Sequence, residues 1–264
     1  MKAADFSYHE AVNLQDAIKI KAEDDEAVIL AGGQSLLPAL NMRLSSPTCL
    51  IDISKISGLN EIKIDGQTLF IGALATHSDV MNNKTVKDNM PCMINILKMV
   101  AHPAIRNKGT HGGSIAYGDP AAELPALAVA TNAEIIVSGQ NGERSINAKE
   151  FYLGLFETAI NQDEIVVGIK YPLLKPGQKI VFDEVLCSPS LRTKKTLATV
   201  SLLFLIVFNS DVKIILFVLE LCESVNCKLT ITLKFDFGKL QPSNLKLSLM
   251  SLCSKQYDHI KPVL

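Results

Sequence analysis

From Ala27 to Met42 the chain has little conformational freedom. Four apolar residues, Ala27-Val28-Ile29-Leu30, run into Ala31-Gly32-Gly33-Gln34-Ser35 and then into Leu36-Leu37-Pro38-Ala39-Leu40-Asn41-Met42. That order predicts a buried strand, a tight glycine turn and a helix start. Glycines admit positive φ and let a ligand approach the backbone. Successive N–H groups in such a turn form an anion nest, and a helix N-terminus adds partial positive charge. Gln34 and Ser35 place side-chain donors beside it. A phosphate or pyrophosphate is the natural ligand. A plain strand-to-helix turn with no ligand fits the same residues.

A second stretch, Gly109 to Leu124, reads Gly-Thr-His-Gly-Gly-Ser-Ile-Ala-Tyr-Gly-Asp-Pro-Ala-Ala-Glu-Leu. Its glycine pair is flanked by the hydroxyl residues Thr110 and Ser114. Two donor-rich glycine turns suit a diphosphate gripped from two sides. Asp119 and Glu123 are four apart and would share a face if helical. Asp119 reads better as an N-cap before Pro120. A carboxylate here suits the sugar hydroxyls of a ligand, because ionised carboxylates are strong acceptors.

The two stretches, with AGGQSLLPALNMRL, PTCLIDISKI, IGALATHSDV, AHPAIRNKGTHGGSIAYGDPAAELPALAVATNAEI and DEIVVGIKYP in that order, resemble the FAD-binding medium subunit of the molybdenum hydroxylases. Aerobic carbon monoxide dehydrogenase and xanthine dehydrogenase belong to that family. The likeness covers about the first two-thirds of the chain. It implies an α+β fold: a two-part FAD-binding domain of the vanillyl-alcohol-oxidase/PCMH type, then a smaller C-terminal sheet-plus-helix domain. It implies FAD as cofactor. The implied binding set is Ala31, Gly32, Gly33, Gln34, Ser35, Leu36, Thr110, His111, Gly112, Gly113, Ser114, Glu123 and Val166. Within it, Glu123 would meet a flavin-side hydroxyl, and Val166 the flavin or adenine. Core packing suits Val166 equally. The likeness also sets Val100 near the flavin ring. No catalytic side chain and no metal ligand is implied on this chain. The implied partners are a molybdenum-cofactor large subunit and a [2Fe–2S] small subunit.

Along the chain, Asn13 with Asp16 resembles a capping box before a helix carrying Leu14, Ala17, Ile18 and Ala22 on one face. Cys49 to Ile53 reads as a strand, completing a β-α-β unit. Asp65-Gly66 and Asn141-Gly142 mark two hairpins, over Glu61 to Ile71 and Ala133 to Ile146. His77 reads as a loop or cap residue at a helix start, with no nucleophile paired to it. Pro91 opens a helix running to Ala101. Leu124 to Ala130 is an apolar helix, Ala148 to Leu155 a short one, and Glu164 to Tyr171 a strand. Lys175-Pro176-Gly177 is the candidate boundary. The expected parts are therefore 1–57, 58–175 and 176–264.

The last part departs from the family. The Gly- and Ala-rich pattern expected after Val200 gives way to a Leu-, Lys- and Ser-rich tail. Leu202 to Phe208 and Ile214 to Leu221 are too short to span a bilayer, which takes about 20 residues. They read as two buried strands. Leu229 to Phe237 alternates as a strand with one buried face, and Pro242 to Ser254 suits a closing helix.

Several functions are disfavoured. A net charge of −1 argues against nucleic-acid binding driven by bulk charge. Six scattered cysteines without a C-x-x-C indicate no zinc or iron–sulfur site. No H-E-x-x-H or P-loop motif is present. The polar first ten residues carry no secretory h-region, which points to the cytoplasm. The expected role is an oxidoreductase subunit that passes electrons through FAD. A non-catalytic remnant that keeps the fold, or a self-contained flavin oxidase, are the alternatives.

Overall fold

The computed structural model describes residues 2–175, 179–187, 199–208, 211–219 and 229–235. The chain divides into two compact units, Met1–Lys175 and Pro176–Leu264.

The first unit opens with a three-stranded parallel sheet. Strand β1 (Ser7–Glu10) leads to helix α1 (Leu14–Glu23), β2 (Val28–Leu30), α2 (Leu36–Asn41) and β3 (Cys49–Asp52). The order is β1-β3-β2, so β3 is central and pairs parallel with both neighbours. Asn13 caps α1 by accepting from the Asp16 N–H at 2.9 Å. The expected reciprocal bond is displaced by one residue. Asp16 accepts from the Val12 N–H at 3.0 Å, because its short side chain also meets the His9 ring at 2.9 Å.

Ala17, Ile18, Ala27, Ile51, Ile53 and Ile56 pack beneath this sheet together with Leu74 and Ile165 from much later in the chain. The regions on either side of residue 57 therefore share one core. Each fully buried isoleucine or leucine among them contributes about 1.5–3 kcal/mol.

A five-stranded antiparallel sheet follows. It contains β4 (Ile62–Asp65), β5 (Thr68–Gly72), β6 (Glu134–Gly139), β7 (Gly142–Asn147) and, further on, β10 (Ile165–Pro172). Their order is β4-β5-β10-β6-β7. Both expected hairpins are present, and Gly66 turns the first with φ +59°. β10 sits between them and is buried from Ile165 through Ile169.

Between β5 and β6 lie α3 (His77–Asn82), α4 (Lys84–Asn89), α5 (Pro91–Met99), α6 (Pro103–Arg106), α7 (His111–Tyr117) and α8 (Glu123–Thr131). α3 starts with a complete capping box between Thr76 and Asp79. α5 stops at Met99, two residues before the expected end. Val100 is extended, Ala101 takes φ +39°, and the Arg106 guanidinium collects the carbonyls of Val100 at 2.7 Å and Ala101 at 2.8 Å.

Helix α9 (Ala148–Phe151) is also shorter than expected. The chain turns into a small hairpin, β8 (Tyr152–Gly154) with β9 (Glu157–Thr158), through Phe156 at φ +54°.

In the second unit, β11 (Lys179–Cys187), β12 (Thr199–Phe208), β13 (Asp211–Leu219) and β14 (Leu229–Phe235) form an antiparallel meander. The expected closing helix over Pro242 to Ser254, and most of Leu191 to Val200, lie outside the described residues. Among the described residues no helix is long and apolar enough to cross a membrane.

Candidate functional site

The first glycine turn leaves β2 at Ala31. Gly33 takes φ +69°, a left-handed conformation that costs other residues roughly 1–2 kcal/mol. From there the Gly33 and Ser35 carbonyls accept from the Leu37 and Ala39 N–H groups at 3.1 and 3.2 Å, which starts α2. The N–H groups of Gly32, Gly33, Gln34, Ser35 and Leu36 find no acceptor among the described residues. The Ser35 hydroxyl makes no cap bond. The Gln34 amide, expected beside the ligand, donates instead to the Gly32 carbonyl at 3.1 Å and stiffens the turn.

The second turn is accounted for differently. The His111 N–H donates to the Ala75 carbonyl at 2.8 Å and the Gly112 N–H to the Ala73 carbonyl at 2.9 Å. The Gly113 N–H donates to Thr110 Oγ1 at 3.2 Å, and the Ser114 N–H to the Thr110 carbonyl at 3.1 Å. All four amides are spent inside the protein. What this turn still offers is the Thr110 hydroxyl proton, the Ser114 hydroxyl and closeness of backbone. A Cβ on Gly112 would strike the Ala73 backbone 2.6 Å away.

The two turns meet. Gly32 packs directly on the Lys108 carbonyl, with Gly109 Cα 3.0 Å from where a Cβ would stand. The open side of Gly113 faces the Ala31 methyl, 3.9 Å from a Cβ there. Gly32 thus lets two distant stretches come into van der Waals contact, where only a residue without a side chain fits; at Gly113 a Cβ is barred instead by Thr110 Oγ1, 2.6 Å away within its own turn.

The imidazole of His111 points away from this junction into the core. It is fully buried, and Nε2 lies 2.7 Å from the Tyr171 hydroxyl. Burial pushes its pKa down to about 3. His77, at the start of α3, is also buried. Its ring lies under Gly109, whose Cβ would stand 3.0 Å from Cδ2 and Nε2. Burial, then the charge of Arg106, lowers its pKa to about 4. Nδ1 of each ring has no hydrogen-bond partner among the described residues. The two histidines hold the second turn from behind as neutral groups.

Glu123 is the first residue of α8, half buried. Asp119 does not share that helix. Gly118 closes α7 at φ +64°, and Asp119 Oδ1 caps a local turn by accepting from the Ala121 N–H at 2.9 Å. α8 therefore begins three residues after Pro120, not at it. Leu36 opens α2 half buried, and Val166 is buried in β10 opposite Val137.

Sequence reasoning missed Arg106, whose clamp on Val100 and Ala101 fixes the approach to the second turn; a basic residue just past a helix end was the available signal. Among the described residues, no cluster of His, Cys, Asp or Glu could hold a metal ion. A run of free amides with adjacent hydroxyls suits the diphosphate of a dinucleotide, and FAD fits those residues.

The family described as FAD binding domain in molybdopterin dehydrogenase matches residues 4–174. The chain is 40% identical over 185 residues to the 6-hydroxypseudooxynicotine dehydrogenase complex subunit alpha of Paenarthrobacter nicotinovorans, covering 70% of this chain and 62% of that one. It is 39% identical over 185 residues to the glyceraldehyde dehydrogenase medium chain of Sulfolobus acidocaldarius, covering 70% and 66%. The match thus spans about two-thirds or less of these curated relatives' lengths. Among solved structures, carbon monoxide dehydrogenase from Hydrogenophaga pseudoflava lacking the Mo-pyranopterin moiety aligns with a TM-score of 0.72 at 31% identity. That alignment covers 82% of this chain and 75% of the other.

Proposed function

This chain belongs to the family of FAD-binding domains of molybdopterin dehydrogenases, and we propose that it serves as the flavin subunit of a molybdenum hydroxylase of the carbon monoxide dehydrogenase or xanthine dehydrogenase type. The observation that carries this reading is the run of uncommitted amides from Gly32 to Leu36, set against Lys108, Gly109 and Gly113.

In this reading the amides of the first turn and the hydroxyls of Ser35, Thr110 and Ser114 hold the diphosphate. The bare backbone of Gly32 lets the Lys108–Gly109 segment close against the turn that holds it. Glu123 accepts a hydrogen bond from a cofactor hydroxyl, and Val166 closes the apolar side. His111 and His77 act at one remove by keeping the second turn in place. Bound FAD supplies an electron carrier between [2Fe–2S] clusters on a small subunit and an external acceptor, with substrate chemistry on a molybdenum-bearing large subunit. The names of the relatives, as a complex subunit and a medium chain, support such an assembly. A reducing compartment such as the cytoplasm suits the free thiols of Cys49 and Cys92.

The purified full chain should be yellow with oxidised flavin, and dithionite should bleach it. Anaerobic addition of a candidate substrate, carbon monoxide or a heterocycle, should bleach it only when both partner subunits are present. Bleaching of the isolated chain would favour a self-contained flavin oxidase. A colourless chain that takes up no FAD would leave the remnant reading standing.

A further inference from the structure

The donors of the first glycine turn are neutral, whereas a dinucleotide diphosphate carries two negative charges. We propose that Lys108 supplies a countercharge to the FAD diphosphate, an inference that rests on the flavin reading above. Its backbone is pinned at the junction: the Lys108 carbonyl abuts Gly32, and its N–H donates to the Ile105 carbonyl at 3.1 Å. Its side chain is exposed and makes no ion pair or hydrogen bond among the described residues.

Several cations are committed elsewhere, and the further unpaired ones among the described residues, Lys19, Lys84, Lys87, Lys98 and Lys149, stand on α1, α4, α5 and α9, not at this junction. Lys55, Lys63 and Lys170 are paired with Glu10, Glu61 and Asp65, and Arg144 with Glu164. Arg106, two residues before Lys108, is spent on the carbonyls of Val100 and Ala101. Lys108 is thus an uncommitted cation whose backbone touches the turn with the uncommitted amides. A lysine suits this place because its flexible four-carbon stem delivers a point charge without demanding fixed geometry. The ammonium is strongly hydrated, so its contribution is electrostatic and screened by salt.

The test titrates flavin-free full-length chain with FAD at about 0.01 M and about 1 M salt, where the Debye length falls from about 30 Å to about 3 Å. Wild type, Lys108→Arg, Lys108→Gln and Lys108→Glu are compared. At low salt Lys108→Gln should weaken FAD about fivefold to tenfold and Lys108→Glu further, with Lys108→Arg near wild type. At high salt the four should converge. Lys108→Gln and Lys108→Glu binding as tightly as wild type at low salt would overturn the proposal. So would deficits that persist unchanged at high salt, which would mean damage to the turn itself. Wild type that takes up no FAD overturns the flavin reading as well, whereas wild type that binds while all variants match it overturns only the role of Lys108.

Discussion

The two glycine turns have nearly the same composition and opposite hydrogen-bond economies. In Gly32 to Leu36 the backbone donors find no acceptor among the described residues; in His111 to Ser114 every backbone donor is satisfied within the protein. A glycine pair beside hydroxyl residues therefore does not by itself define an anion nest. The first turn presents groups to a ligand. The second lets the chain pass close to Ala73 and Ala31 and keeps the first turn's neighbourhood in shape. Damage to the packing of the second turn should therefore appear first in stability, and damage to the first turn in cofactor affinity.

The largest expected effect is at Gly112. A valine there must displace the Ala73 backbone, an overpacking that costs about 3 kcal/mol or more. Urea unfolding of flavin-free Gly112→Val should show that loss. Wild-type stability in this variant would break the contrast at its strongest point.

Acid should come next. His77 and His111 are held neutral with pKa values of about 4 and about 3. The unfolded chain takes up these protons near pH 6.5. It therefore binds more protons than the folded chain below that pH, and stability falls progressively toward pH 3. The loss should reach a few kcal/mol, on the scale of about 1.4 kcal/mol per pKa unit. His77→Phe should flatten the pH dependence of unfolding between pH 6.5 and 4.5, a window mostly above the carboxylate range. An unchanged slope would remove His77 from the support of the turn.

Thr110 and Ser35 make a matched pair. Thr110 caps α7 through the Gly113 N–H, so Thr110→Val should cost about 1 kcal/mol of stability. Ser35 makes no cap bond, so Ser35→Ala should leave stability within about 0.5 kcal/mol and lower FAD affinity a few-fold. Thr110→Val should also lower FAD affinity, so the melting temperature separates the two, and a stability loss in Ser35→Ala with none in Thr110→Val would exchange the roles of the turns.

The smallest effect is expected from Glu123→Gln. An amide oxygen still accepts a hydrogen bond, so most flavin should be retained, with Glu123→Ala losing more. Lost turnover in Glu123→Gln, with flavin affinity and flavin reduction intact, would assign proton transfer to Glu123.

The strand–turn–helix from Ala27 was legible because an apolar run, two glycines and a helical repeat agree. The hairpins were legible because Asp65-Gly66 and Asn141-Gly142 favour only a few turn types. β1 was not, because Ser7–Glu10 is a mostly exposed edge strand without an apolar alternation. α9 was extended too far because Leu153 and Leu155 look like helix core, whereas both are exposed on the hairpin that replaces it. In the candidate site, the residue types were readable but their bonding was not. Nothing in Thr110-His111-Gly112-Gly113 tells that the imidazole turns inward to Tyr171, sixty positions away. The same holds for the amides of that turn, whose acceptors lie on Ala73 and Ala75.

The place of β10 bears on how the protein is made. It is the middle strand of its sheet, and its Ile165 completes the core under the N-terminal parallel sheet, yet it is the last of these strands to leave the ribosome. At synthesis rates of about 5–20 residues per second, the N-terminal sheet waits roughly 5–20 s for that side chain. Within that interval β5, and later β6, carries an unpaired edge once made, the kind of surface that recruits other chains. Newly made chains should therefore depend on chaperones until β10 docks, and a ribosome stalled before Ile165 should hold a protease-sensitive nascent chain even though both glycine turns have already been translated.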